Sequence, residues 1–144
     1  IHARQSRAEA AALCASLEQR RPGSTLQLGG DLADIGVVQS LVAETVGRFG
    51  RLDALVNNAS SFHPTPIGTA TEADWDDLFA SNAKAPFFLA QAAAPALRAQ
   101  RGAIINITDI YAERPLANHT IYVMAKAALR MMTLSLARDL APEV

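Results

Sequence analysis

The chain has 144 residues, 50% of them apolar and 19% charged, which suits one globular domain able to bury its own core and argues against a disordered chain. Thirteen Lys and Arg against 14 Asp and Glu, scattered singly, form no patch for nucleic acid or an anionic membrane surface. The most apolar window, Ala85 to Leu97, is interrupted by Pro86, Gln91 and Pro95 and too short to span a bilayer, and the lone Cys14 excludes an internal disulfide and fits a reducing, cytoplasmic setting.

In chain order, Ile1-His2-Ala3 reads as the tail of a strand, and Ser6 to Arg20 has a helix's composition with Ser6 as a possible cap, ended by Pro22-Gly23. Thr25 to Leu28 predicts a short strand and Gly29-Gly30-Asp31 a turn. From Asp34 to Phe49 the residues Val38, Leu41, Val42, Val46 and Phe49 recur at helical spacing, with Gly50 as the stop. Leu52 to Val56 predicts a buried strand, and Asn57 to Gly68 a polar loop. Thr71 and Asp74 approximate a capping box that opens one long helix to about Ala99. Ala103 to Ile107 is a further strand and His119 to Leu140 the last helix.

Helical crossovers between apolar strands predict a doubly wound α/β protein with a parallel sheet, whose ligands lie at the C-terminal ends of the strands. There is no initiator Met, and the last residues, Ala141-Pro142-Glu143-Val144, directly follow a helix, so the expectation is a piece of a longer domain.

Three polar features interrupt the apolar patterns. Asn82 sits on the stripe of Trp75, Leu78, Phe79, Pro86, Leu89, Ala93 and Leu97; it either bonds a neighbouring backbone group at a helix irregularity near Pro86 or orders an active site. Tyr122 and Lys126 lie one helical turn apart, which reads either as a core tyrosine with a snorkelling lysine or as a phenol whose pKa is lowered by an adjacent ammonium. Asp109 follows a strand, where it either caps a turn or takes part in proton transfer. All three fall at the same sheet edge.

Together, Asp31-Leu32, Asn57-Asn58-Ala59, Asn82 and the run Tyr122-Val-Met-Ala-Lys126 resemble the short-chain dehydrogenase/reductases, over nearly the whole chain. The resemblance implies a Rossmann-type fold that here lacks its first strand, the glycine-rich turn after it and the C-terminal strands, so that residues 1–144 form part of a single NAD(P)-binding domain. Without the central strand the sheet falls into two halves, and the 144 residues alone are expected to be poorly stable and inactive. It further implies that Tyr122 donates a proton, Lys126 lowers its pKa and holds the nicotinamide ribose, Asn82 holds a water, Asp31 bonds the adenine, and Asn57 to Ala59 line the cofactor groove, with Leu32, Ser60 and Thr108 beside it.

Where most of that family has a catalytic serine, this chain has Asp109, and with Asn57-Asn-Ala-Ser-Ser-Phe-His-Pro-Thr-Pro66 it resembles the pteridine reductases, including the bacterial dihydromonapterin and dihydrofolate reductase relatives. That likeness implies a pterin stacked on Phe62 and touched by Ser60, reduced with a proton from an Asp109 and Tyr122 pair. In that family, members that take the phosphorylated cofactor carry a basic residue and a hydroxyl just after their second strand, to which the remnant Ile1-His2-Ala3 corresponds; Arg4 and Ser6 stand there with no acidic residue beside them, so the resemblance implies NADP(H) over NAD(H). His63 and His119 have no metal-ligand spacing with each other or with a carboxylate cluster, so no metal is expected. Homo-oligomers, tetramers or dimers, are usual in the family, and the apolar residues Met124, Ala128 and Met131 off the Tyr122 stripe agree with one. The competing readings are a general carbonyl or 3-oxoacyl reductase in which Asp109 does the serine's work, and a noncatalytic dinucleotide-binding subunit.

Overall fold

In a computed structural model describing residues 1–144, the elements follow in the order β1 (His2–Ala3), α1 (Arg7–Arg20), β2 (Leu28–Gly29), α2 (Ile35–Phe49), β3 (Ala54–Asn57), α3 (Glu72–Phe79), α4 (Ala85–Gln100), β4 (Ala103–Asn106) and α5 (Thr120–Leu140). Local sequence sets most of the ends. Asp34 caps α2 by accepting from the Gly36 N–H, and Gly50 closes it at φ 73°, a left-handed conformation that costs glycine little. Thr71 and Asp74 form the expected capping box on α3. Ser6 stands at the N-cap of α1, but its side chain makes no capping bond.

The long helix expected from Thr71 to Ala99 is not continuous, because a π-helical turn at Ala80–Lys84 separates α3 from α4. Pro86 has no N–H to give the carbonyl four residues back, that of Asn82, and the chain widens by one residue there. Two strands are shifted from their expected spans: Thr25 to Leu28 becomes Leu28–Gly29, and Leu52 to Val56 becomes Ala54–Asn57. Only paired backbone makes a strand, and β2 has just two residues of β1 beside it. Trp75, expected in the apolar stripe, is 41% exposed and stacks on Phe79 at 4.4 Å between ring centroids.

β1 pairs with β2 in parallel, and β3 with β4 in parallel from Ala54↔Ala103 to Asn57↔Asn106. No strand pairing joins the two halves. Contacts of α4 with β3 and β4 and of α5 with β4 lay two helices on β3–β4, and α2 packs against α4. Two small cores result: Leu32, Val38 and Ala85 packed by Leu41, Phe88 and Leu89, and Leu78, Ile121 and Tyr122 packed by Phe79 and Val123. Val56 and Ile105, which side chain alternation puts on one face of the β3–β4 pair, are exposed. An apolar slot of about 290 Å³, lined in part by Ile1, Leu28, Leu41, Leu55 and Val56, lies beside β1 and β3. No helix is long and apolar enough to cross a membrane.

The turn into β4 depends on a close approach. A Cβ on Gly102 would lie 2.5 Å from the Asp53 carbonyl oxygen and 2.9 Å from a Leu97 methyl. That same carbonyl accepts from the Ala103 N–H at 3.0 Å, so it has little room to shift. Gly102→Ala is expected to destabilise the protein by about 1–3 kcal/mol, as overpacking does. A denaturant midpoint equal to wild type would contradict this.

Candidate active site

The residues following β3 and β4 and the first turns of α5 meet at one rim. Asp109 caps the short 3-10 turn Ile110–Ala112, accepting from the Tyr111 N–H at 3.0 Å through Oδ1. Its other oxygen accepts from the Tyr122 hydroxyl at 2.6 Å. One turn along α5, Lys126 donates to the Ile107 carbonyl at 3.0 Å, its Nζ 5.8 Å from the Tyr122 ring centroid. Tyr122 and Lys126 are both only 4% exposed, which sets them on the buried face of the helix.

The electrostatics follow from these contacts. The Tyr111 N–H, then the Tyr122 hydroxyl, hold the Asp109 carboxyl below its ordinary range, with Lys126 adding to the effect. Burial first, and the Asp109 carboxylate second, push the Tyr122 phenol well above an ordinary tyrosine. This is opposite to the lowering that its spacing from Lys126 suggests. The carboxylate bonds the hydroxyl directly, whereas the ammonium bonds a carbonyl and lies over the ring. Burial lowers Lys126, and Asp109 opposes that shift. The pair therefore rests as an ionised carboxylate receiving a protonated phenol.

The loop after β3 is anchored from two sides. Asn57, at the end of the strand, donates to Asn106 at 2.8 Å; Asn106 donates to Thr133 at 2.9 Å, and Thr133 to the Leu129 carbonyl at 2.8 Å. The buried Asn57 Oδ1 has no partner. Asn82, 1% exposed, donates to the Ser61 and Leu78 carbonyls, each at 2.9 Å, and accepts from the Ser60 hydroxyl at 2.7 Å. Both ends of its amide are thus engaged in fastening residues 60–61 to α3, and its side chain makes no hydrogen bond to Lys126. Phe62 is 58% exposed; it meets Tyr122 edge-on at 4.8 Å and stacks on His119 at 4.7 Å.

A cleft of about 880 Å³ is lined by Arg4, Ser6, Asp31, Leu32, Ala59 and Ser60, among others. Leu32 also belongs to the α2 core, and Asp31 accepts from the Ala33 N–H at 2.9 Å. Asn58 and Thr108 are exposed, Asn58 lining the neighbouring slot. Arg4 does have acidic neighbours, contrary to the sequence reading: Asp31 at 3.5 Å and, from α3, Asp77 at 3.8 Å. His63 lies 3.2 Å from Asp74 and 3.9 Å from Asp77. Folding brings α3 against the ends of both loops, a proximity that linear spacing does not carry. Pattern reading also passed over Asn106, Thr133 and His119 as site residues. The first is a polar residue inside the apolar run Ala103-Ile-Ile-Asn106, a signal that was available.

Parallel strands whose carboxyl ends open on a cleft, joined by helical crossovers, define a dinucleotide-binding fold of the Rossmann type. The short chain dehydrogenase family model matches residues 1–144, and the chain belongs to that family. It is 36% identical to pteridine reductase 1 of Leishmania tarentolae, an alignment covering 98% of this chain and 62% of that protein. It is 36% identical to L-fucose dehydrogenase of Rattus norvegicus, over 86% of this chain and 46% of the relative. It is 37% identical to the 3-oxoacyl-[acyl-carrier-protein] reductase FabG of Staphylococcus aureus, over 77% and 46%. The chain thus spans from about half to about three-fifths of the length of these relatives.

Proposed function

We propose that the full-length protein is an NADPH-dependent pterin reductase, and that Asp109, Tyr122 and Lys126 are its catalytic residues. The observation that carries this reading is the 2.6 Å bond from Tyr122 to Asp109 with the exposed Phe62 ring 4.8 Å from the phenol. An aromatic face suits a flat heteroaromatic ring, and reduction of a ring C=N needs a proton on nitrogen as well as hydride on carbon. Tyr122 supplies that proton from the state its surroundings favour, the protonated phenol. Asp109 holds the hydroxyl in place and, as a coupled partner, shares the titration. Lys126 provides positive charge beside both, and Ser60 offers the substrate a hydroxyl.

The residues of the cleft fit a phosphorylated dinucleotide. Within the cleft, Arg4, on exchanging Asp31 and Asp77 for the ligand, and Ser6 suit the 2′-phosphate, Asp31 and Leu32 the adenine and Ala59 the groove; Asn58, Thr108, Tyr122 and Lys126, outside the cleft lining, suit the nicotinamide end. Bound there, NADPH supplies the hydride. Asn82 acts by fixing the 60–61 loop at that end. Arg4→Ala is expected to raise KM for NADPH about 10- to 100-fold, as loss of a hydrogen bond to a charged group does, and to leave KM for NADH nearly unchanged. An equal effect on both cofactors would contradict the assignment of Arg4.

Residues 1–144 are, in this reading, part of one NAD(P)-binding domain. Three observations support it: the apolar slot beside β1 and β3, the exposed Val56 and Ile105, and the unpartnered Asn57 Oδ1. A further strand and a covering helix would satisfy all of them. Exposed Met124, Met131 and Leu134 on α5 support a homo-oligomer, and the single cysteine a cytoplasmic setting. The likeness to a 3-oxoacyl reductase favours carbonyl reduction as the second reading. Turnover of NADPH by the full-length protein with dihydrobiopterin and with a β-ketoacyl thioester, and of NADP+ with L-fucose, tests the proposal; reduction of the thioester without the pterin would overturn it.

A further inference from the structure

We propose that His119 is a positioning residue that backs the Phe62 platform and fixes its plane relative to the Tyr122 acid, an inference that rests on the pterin-reductase reading. A largely exposed phenylalanine in a loop has rotamer freedom that a stacking substrate must remove, at a cost to binding. In this site the freedom is already restricted. The His119 imidazole lies against Phe62 with ring centroids 4.7 Å apart and planes 12° from parallel, while Tyr122 holds the phenyl ring in an edge contact at 78°.

The imidazole is itself fixed. Its Nδ1 lies 2.7 Å from the Ala117 carbonyl, so Nδ1 carries the hydrogen, and the His119 carbonyl accepts the Val123 N–H at 3.0 Å in the first turn of α5. The ring is therefore tied to the same helix as Tyr122, three residues further on. The two loops are also joined through their backbones, because the Thr65 N–H donates to the carbonyl of Asn118, which adopts φ 58°. His119 covers one face of Phe62, and a flat substrate takes the other, giving a three-layer stack. No proton transfer is assigned to the imidazole, so another aromatic ring should replace it.

Two measurements on the full-length protein test this. With 4-fluorophenylalanine at position 62, the fluorine resonance of wild type carries a ring-current shift that His119→Ala removes and His119→Phe keeps. In steady state, His119→Ala raises KM for dihydrobiopterin about threefold to tenfold, the value of an aromatic pair, with kcat little changed, and His119→Phe restores it. A fluorine resonance unmoved by His119→Ala, a KM equal to wild type, or restoration by His119→Gln and not by His119→Phe would overturn the inference. A wild type that does not reduce pterins overturns the proposed function instead; the fluorine signal, which needs no turnover, still decides whether His119 holds Phe62.

Discussion

Tyr122→Phe is expected to lower kcat for pterin reduction about 10²- to 10⁴-fold, the usual contribution of a positioned acid, while NADPH binding weakens far less. The substitution deletes only the oxygen that donates to Asp109 at 2.6 Å. The ring remains in the core with Leu78 and Ile121, so the fold is kept, at a cost of about 1.5–3 kcal/mol for the lost bond to a charged acceptor, and the loss of turnover is one of chemistry. Steady-state turnover together with fluorescence titration of NADPH checks it. A variant retaining wild-type kcat would remove Tyr122 from the mechanism, and one that loses cofactor binding in parallel would assign the tyrosine a binding role only.

Asp109→Asn should reduce kcat/KM for the pterin about 10- to 100-fold, in line with the loss of a hydrogen bond to a charged group. It also has a spectroscopic consequence. The carboxylate is the second cause of the raised Tyr122 pKa, so its removal should move tyrosinate formation to lower pH, although burial keeps it above an ordinary phenol. The sign of the pH dependence follows for wild type. The folded Asp109 pKa is depressed, so the stabilisation it provides is fully present above the ordinary aspartate value and is lost as pH falls through the depressed one. The Tyr122 contact should therefore survive to pH values at which an exposed aspartate is already protonated. Tyrosinate titrating at the same pH in wild type and Asp109→Asn would contradict the coupling.

Much of this arrangement was legible before folding. Gly50, Asp34 and the Thr71 and Asp74 box act within one or two turns, so their residue types reveal them directly. The Tyr122 and Lys126 pair is likewise a matter of helical spacing. The break at Ala80–Lys84 was half visible in Pro86, but whether a proline kinks a helix or widens it depends on what the freed segment bonds, and here Asn82 and Ser81 hold the loop after β3. What spacing missed was distant pairing: Arg4 with Asp77, Asn57 with Asn106, Asn106 with Thr133, and Phe62 with His119. The reversed direction of the Tyr122 shift comes first from burial and second from a pairing of the same kind. Separation along a helix brings the lysine near, but only the fold reveals that a carboxylate from another segment lies closer.

The most direct measurement is the ratio of kcat/KM for dihydrobiopterin to that for a β-ketoacyl thioester, taken with NADPH for the full-length wild type and for Asp109→Ser. The account predicts a ratio well above one in wild type that falls sharply in Asp109→Ser, because the serine lacks the charge that holds Tyr122. A wild-type ratio below one, or a ratio unchanged by Asp109→Ser, would contradict it.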